Sequence, residues 1–219
     1  MVINRREFAT RLAGAGIILG APTASFAQEG PPTSATIKPG VHYLELIQRQ
    51  PTTSTPSRTE VVVFFSYLCV HCRNFNAELE SWAAKQGNIE FKQVPVGFSQ
   101  ETMVLQNLFF SLQAMGLDKQ MHAKIYKAIW DDKRQLFAPG MMDRWVQEQG
   151  INKKQLADLS TSEGIMNKQM LANSLMRGYQ VRATPSFGVA GKYMVPHQGT
   201  FGLRVLEHLI KSETTSSKS

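Results

Sequence analysis

The chain has 219 residues, 42% of them hydrophobic, and only two cysteines. That length suits one domain, at most with an inserted subdomain, and the fold has no disulfide framework to rely on. The net charge of +7 is moderate, and no basic block alternates with aromatic residues, so nucleic acid is not expected as a partner.

The N-terminus reads as an export signal over residues 1–27. Arg5 and Arg6 precede a modest apolar stretch, Leu12 to Ala21, and Ser25-Phe26-Ala27 supplies small residues for cleavage after Ala27. The stretch is too short to span a bilayer. Asn4-Arg5-Arg6-Glu7-Phe8 resembles a twin-arginine signal, the alternative being an ordinary secretory one. Export implies a bacterial periplasm, which is oxidising, so a lone Cys-x-x-Cys can exist there as a disulfide.

Residues 28–40, rich in Pro, Thr and Gly, read as a flexible leader. A short first strand is expected over 41–47, with Tyr43 and Leu44 near its centre, followed by a Pro/Thr/Ser-rich loop over 48–59. Glu60 to Ser66 contains the run Val61-Val62-Val63-Phe64-Phe65. An unbroken apolar run of that length implies a strand buried on both faces.

Cys69-Val70-His71-Cys72 follows directly. A strand that ends in a turn delivers Cys69 to the first turn of a helix, whose unpaired N–H groups and dipole favour thiolate. Cys72 lies three residues on, on the same helical face, close enough to close a disulfide with Cys69. His71 can add positive charge or a hydrogen bond to the same sulfur. Zinc would need two more ligands, and His42, His122, His197 and His208 are scattered, so no metal is expected. A purely structural bridge across so short a loop restricts the unfolded chain little. A redox dithiol is favoured over both.

Phe75, Leu79, Trp82 and Ala83 continue the helix at helical spacing, and Gly87-Asn88 ends it. Ile89 to Val96 reads as another strand, with Pro95 near its end. Strand–helix–strand in this order implies a parallel crossover. Residues 100–181 read as an all-helical insertion, divided into about five helices by Gly116, Pro139-Gly140, Gly150 and Gly164. Asn152 and Gln155 resemble a capping pair. Leu171, Leu175 and Tyr179 are expected to form one buried stripe. The methionines here are expected mainly in the core, with an adaptable binding surface as the alternative. Arg182-Ala183-Thr184-Pro185 ends the helical region. Pro185 to Val189 and Lys192 to Val195 form a hairpin about Ala190-Gly191-Lys192. A last helix is expected over 202–211, and residues 213–219 are read as a disordered tail.

This order resembles the thioredoxin fold, an α/β fold, with the long helical insertion that distinguishes the DsbA family. Val63-Phe64-Phe65-Ser66-Tyr67-Leu68-Cys69-Val70-His71-Cys72 looks like that family's active-site strand and helix. Thr184-Pro185-Ser186-Phe187, with Gly191-Lys192-Tyr193 and Gln198-Gly199, looks like its proline loop and hairpin. The thioredoxin-like domain is then split into 41–99, carrying the cysteines, and 182–212, carrying the proline loop.

The resemblance implies a protein disulfide oxidase with no cofactor. Its redox-active disulfide is Cys69–Cys72, Cys69 is the attacked sulfur, and Pro185 is a cis proline beside the cysteines. Ala183, Thr184 and Pro185 offer an edge for an extended substrate. A stable thiolate at Cys69 makes the oxidised form a strong oxidant, an effect for which DsbA is itself the known example. The implied partners are reduced exported proteins and a DsbB-type membrane quinone reductase that reoxidises the pair. A monomer is expected, since the leader is too short for a dimerisation domain. Three positions depart from the family pattern. Val70 stands where the best-known motif has proline, and Thr184 where it has valine; both tune the site. Val63 stands where many members carry a buried acid, with Gln93 as its expected neighbour. An isomerase or reductase of the Dsb group, and a binding or chaperone protein of the same fold, stand as alternatives.

Overall fold

The computed structural model describes residues 37–55 and 57–216. The expected signal, the leader up to residue 36 and residues 217–219 lie outside the described residues. The strands are β1 (Leu44–Glu45), β2 (Thr59–Phe65), β3 (Ile89–Pro95), β4 (Ser186–Val189) and β5 (Tyr193–Pro196). The helices are α1 (Val70–Lys85), α2 (Gln100–Ala114), α3 (Asp118–Trp130), α4 (Met141–Glu148), α5 (Lys153–Ser160), α6 (Glu163–Gly178) and α7 (Thr200–Ser216).

The apolar run of β2 is buried at every position because it is an inner strand covered on both faces. It pairs parallel with β3 on one side and antiparallel with β4 on the other, in a sheet of order β1-β5-β4-β2-β3. Strand periodicity sends its side chains alternately to two layers. Val61, Val63 and Phe65 pack with Phe75, Leu79 and Trp82 of α1 and with Leu203, Leu206 and Leu209 of α7. Val62 and Phe64 face the opposite layer, with Tyr179, Val181 and Met194. The parallel register sets Val63 opposite Gln93, the pairing the sequence order suggests.

Among the described residues, one charge of this sheet is buried. Glu60 is buried and accepts hydrogen bonds from Lys92 Nζ at 2.7 Å and from the Thr53 N–H and hydroxyl at 3.0 and 2.8 Å. Burial alone pushes its carboxyl up, but these donors outweigh it and hold the group below its ordinary range. The loop before β2 is thereby tied to the sheet.

The hairpin turns through Ala190 and Gly191, both at positive φ, with Lys192 N–H donating to Val189 O. This is the primed turn that suits twisted strands. Beside it, Gly188 lets β4 pass against the buried Tyr179 ring, where an added Cβ would lie 2.4 Å from a ring carbon. The ring is also fixed, since its hydroxyl accepts from Gly191 N–H at 3.0 Å. Gly188→Ala is expected to destabilise the protein by about 2 kcal/mol through overpacking, read as a lower urea midpoint. An unchanged midpoint would mean that the ring has room to move.

Five helices form the insertion, as the stop signals suggest. Gly116, Gly140 and Gly150 sit at positive φ at its breaks, and Asn152 Oδ1 caps α5 by accepting from Gln155 N–H. Gly164 is not a break: it lies in the first turn of α6, and Ser162 caps that helix by accepting from Ile165 N–H.

Other expectations are corrected. The first strand is two residues long rather than 41–47. Tyr43 is buried edge-on against Tyr193, while Leu44 is exposed. Leu171 is 70% exposed, so Leu171, Leu175 and Tyr179 are not one buried stripe. The inward positions of α6 are Ile165 and Ala172, because α6 meets α2 through amides. Gln106 Nε2 donates to Asn173 Oδ1, and Asn107 Nδ2 donates to Gln169 Oε1. Met121 is core, whereas Met103, Met166 and Met170 are exposed. The last helix runs on to Ser216, so residues 213–216 are not a disordered tail; Glu213 accepts hydrogen bonds from Lys192 and from Tyr193 Oη.

Candidate active site

The cysteines sit where β2 hands the chain to α1. Ser66 shapes the turn: Leu68 N–H donates to its hydroxyl and Cys69 N–H to its carbonyl, at 3.1 Å each. Trp130 of α3 donates its indole N–H to Tyr67 O at 2.9 Å, and Arg73 pairs with Asp131 just past α3. The insertion thus braces the loop that carries the cysteines.

Cys69 is the N-cap of α1 and is partly exposed; Cys72 is buried, at 4% exposure. Both are free thiols here. The two sulfurs differ strongly in acidity. The Cys72 thiol donates a hydrogen bond to Cys69, and the Thr184 hydroxyl and the backbone N–H groups of Cys72 and His71 add to it. Together they outweigh partial burial and lower the Cys69 thiol to about 5. The same hydrogen bond, with burial, pushes the Cys72 thiol far up. One sulfur is therefore a thiolate at neutral pH and the other a thiol.

The proline loop lies against this pair. The Thr184–Pro185 bond is cis. Thr184 O lies 3.1 Å from Cys69 Sγ, accepting from the thiol when Cys69 is protonated. Pro185 is buried and lines a small cavity together with Cys72. Ala183 is exposed, and its carbonyl accepts from the Ser186 hydroxyl at 2.8 Å. Val70 is exposed beside Cys69. The sequence-derived residues Cys69, Val70, His71, Cys72, Ala183, Thr184 and Pro185 thus come from two distant segments to one place.

Two histidines that look scattered in the sequence also converge here. His197, in the loop after β5, packs edge-on against Phe75 at 5.1 Å and tilts against the exposed His71 ring at 6.0 Å. Its Nδ1 is buried without a hydrogen-bond partner among the described residues. Burial, reinforced by His71, holds it below the usual histidine range despite the nearby Cys69 and Glu78. His122 of α3 is buried and lines the cavity beside Cys72. Its position between helix stop signals carries no hint of this. His197 alone had a local cue, lying directly after the hairpin.

Two neighbouring sulfurs that hold their protons so unequally are built for exchange between thiols and disulfides, and the mixed sheet that carries them has the thioredoxin arrangement. The chain is a thiol–disulfide oxidoreductase of that class. Residues 60–211 match the family model of the DSBA-like thioredoxin domain, and the chain belongs to this family. It is 30% identical over 193 residues to the thiol:disulfide interchange protein DsbA of Burkholderia cepacia, covering 86% of this chain and 90% of that one. It is 31% identical to the DsbA of Azotobacter vinelandii, covering 83% and 87%. The crystal structure of Pseudomonas aeruginosa DsbA superposes with a TM-score of 0.79 at 26% identity, covering 84% of this chain and 98% of that one.

Proposed function

We propose that this DsbA-type oxidoreductase is a dithiol oxidase, working in the periplasm after export and donating its Cys69–Cys72 disulfide to folding exported proteins. The observation that carries this is the asymmetry of the pair. Cys69 caps α1 and is partly exposed, Cys72 is buried behind it, and the hydrogen bond between them holds the Cys69 thiol low and the Cys72 thiol high. A sulfur that is stable as thiolate is a good leaving group, and its stability favours the reduced enzyme, so the disulfide is readily given away.

In this reading a substrate thiolate attacks Cys69 Sγ. The Cys69–Cys72 bond breaks, and Cys72 departs as thiolate and takes up a proton. A second substrate thiolate then attacks the substrate sulfur of the mixed disulfide and releases Cys69 as thiolate. The substrate loses two electrons and the enzyme gains them. An extended substrate segment pairs with the backbone of the exposed Ala183 and the partly exposed Thr184, next to Pro185 and Val70. His71 supplies its N–H to the Cys69 thiolate, and the Thr184 hydroxyl tunes it. A DsbB-type membrane quinone reductase restores the disulfide, and the enzyme acts as a monomer.

The test is the reduction potential of the pair, from equilibration of the protein with glutathione buffers. A value well above the glutathione couple is expected. A value near that of thioredoxin would make the protein a reductase or isomerase instead.

A further inference from the structure

Cys72 has to exchange a proton with solvent in every cycle although it is buried. Its sulfur is released as a thiolate and held as a thiol, and it must lose that proton again before it can close the disulfide. Oxidation of a substrate dithiol therefore leaves one proton on Cys72 and releases one to water. Val63, at the centre of β2, offers no acid to manage this step, and its partner Gln93 is neutral.

The cavity beside Cys72 is lined by Cys72, Asn76, Gln93, His122, Tyr126 and apolar neighbours that include Val63. No carboxylate or amine lines it. The titratable groups facing it are Cys72 from α1 and His122 and Tyr126 from α3; Tyr67, from the loop after β2, meets the far side of the His122 ring. Both tyrosines are pushed well above their ordinary range by burial and stay protonated.

His122 is held in one orientation. Its Nδ1 lies 2.9 Å from Tyr67 Oη and its Nε2 2.9 Å from Asn76 Oδ1, with the Gln93 amide 3.3 Å from Nε2. The rings of Phe65 and Tyr126 stand 5.1 and 5.2 Å from it. Nδ1–H donates to Tyr67 Oη, and Nε2 has a partner in either protonation state: it accepts from the Gln93 amide when bare and donates to Asn76 Oδ1 when it carries a proton. Asn76 is one helical turn beyond Cys72 on α1 and partly exposed, so the chain of polar groups runs from the cavity towards solvent.

We propose that His122, linked to the surface through Asn76, is the proton-handling residue that serves Cys72. The proposal rests on the dithiol reading above. Burial lowers His122 to about 4, so the resting ring is neutral and has both a donor and an acceptor. A thiolate formed at Cys72 raises the proton affinity of the ring beside it. When the disulfide closes, the bare Nε2 takes the proton of the Cys72 thiol across the cavity and sheds it towards the Asn76 side. When the disulfide opens, Nε2 takes up a proton from that side and gives it to the Cys72 thiolate, and Nδ1 keeps its proton throughout.

His122→Gln tests this, because glutamine keeps a donor and an acceptor for Tyr67 and Asn76 but cannot carry the proton. The reduced enzyme is mixed with glutathione disulfide across pH 4.5–8.5. Cys69 thiolate attacks, releasing one glutathione thiolate and forming a mixed disulfide. Cys72 thiolate then attacks Cys69 Sγ and releases the second.

The closing step is expected to slow by at least about tenfold near neutral pH, within the usual range for general acid–base catalysis, and to become steeply faster as pH rises. The first step is expected to stay within twofold. A folded His122→Gln protein whose closing rate and pH profile match the wild type overturns the proposal, as does an equal loss in both steps. If this variant does not fold, Asn76→Leu is read in the same way, with several-fold slower closure expected and unchanged closure overturning the proposal. Failure of the wild-type Cys69 to react at all would sink the dithiol reading instead.

Discussion

Cys69→Ser is expected to abolish disulfide transfer, dropping the rate at least about a thousandfold to that of exchange in solution, as loss of a nucleophile typically does. Cys72→Ser is expected to fail differently. Cys69 still caps α1 and remains the partly exposed sulfur, so it attacks a disulfide reagent, but nothing resolves the product. Mixed disulfides should accumulate and be visible by mass spectrometry under non-reducing conditions.

The second variant also tests why Cys69 is acidic. The largest cause of its low value is the hydrogen bond from the Cys72 thiol, ahead of the Thr184 hydroxyl and the backbone N–H groups. A serine hydroxyl at 72 is shorter and leaves a longer gap to the sulfur. The Cys69 thiolate of Cys72→Ser, followed by its ultraviolet absorbance, should therefore titrate above the wild-type midpoint but below a free cysteine near about 8.5. An unchanged midpoint would assign the acidity to the Thr184 hydroxyl and the helix N-terminus. A variant of Cys69→Ser that retained transfer would remove the redox reading altogether and favour a binding role for the fold.

What the sequence revealed, and what it hid, divides by the range of the interaction involved. Cys69 and Cys72 could be placed at a helix start because strand, turn and helix are consecutive there. Thr184-Pro185 and the hairpin were readable for the same reason. The Val63–Gln93 pairing follows from a single crossover between parallel strands. By contrast, His122 comes to the cavity beside Cys72 only because α3 meets Asn76 of α1 and Gln93 of β3. That placement is set by Phe65, Phe109 and Tyr126 around the ring and has no local signature. Leu171 points outward for a related reason. The α2–α6 seam is closed by Gln106, Asn107, Gln169 and Asn173, so a rule that turns apolar residues inward selects the wrong face. The end of α7 was hidden too, because Glu213 is held by Lys192 and Tyr193 of the distant hairpin.

The acidity of Cys69 should also appear as a pH-dependent difference in stability between the two redox forms. In the folded reduced protein the Cys69 thiol lies at about 5, against about 8.5 in an unfolded chain. The unfolded state then binds more protons throughout that interval, so reduced-state stability rises with pH across it. The contribution is complete above about 8.5 and is lost as pH falls through about 5. Cys72 is shifted upward and acts only where unfolded thiols ionise, so it leaves the range below pH 8 untouched. His122 and Glu60, both shifted down, also cost stability on acidification, but they do so in both redox forms. The quantity to measure is therefore the urea midpoint of the reduced form minus that of the oxidised form, from pH 4 to pH 8. It should grow steadily with pH in favour of the reduced form. A difference that stays flat over this range would mean that the Cys69 thiolate is not specially stabilised by the fold. The driving force for donating the disulfide would then have to come from strain in the oxidised form rather than from stability of the reduced one.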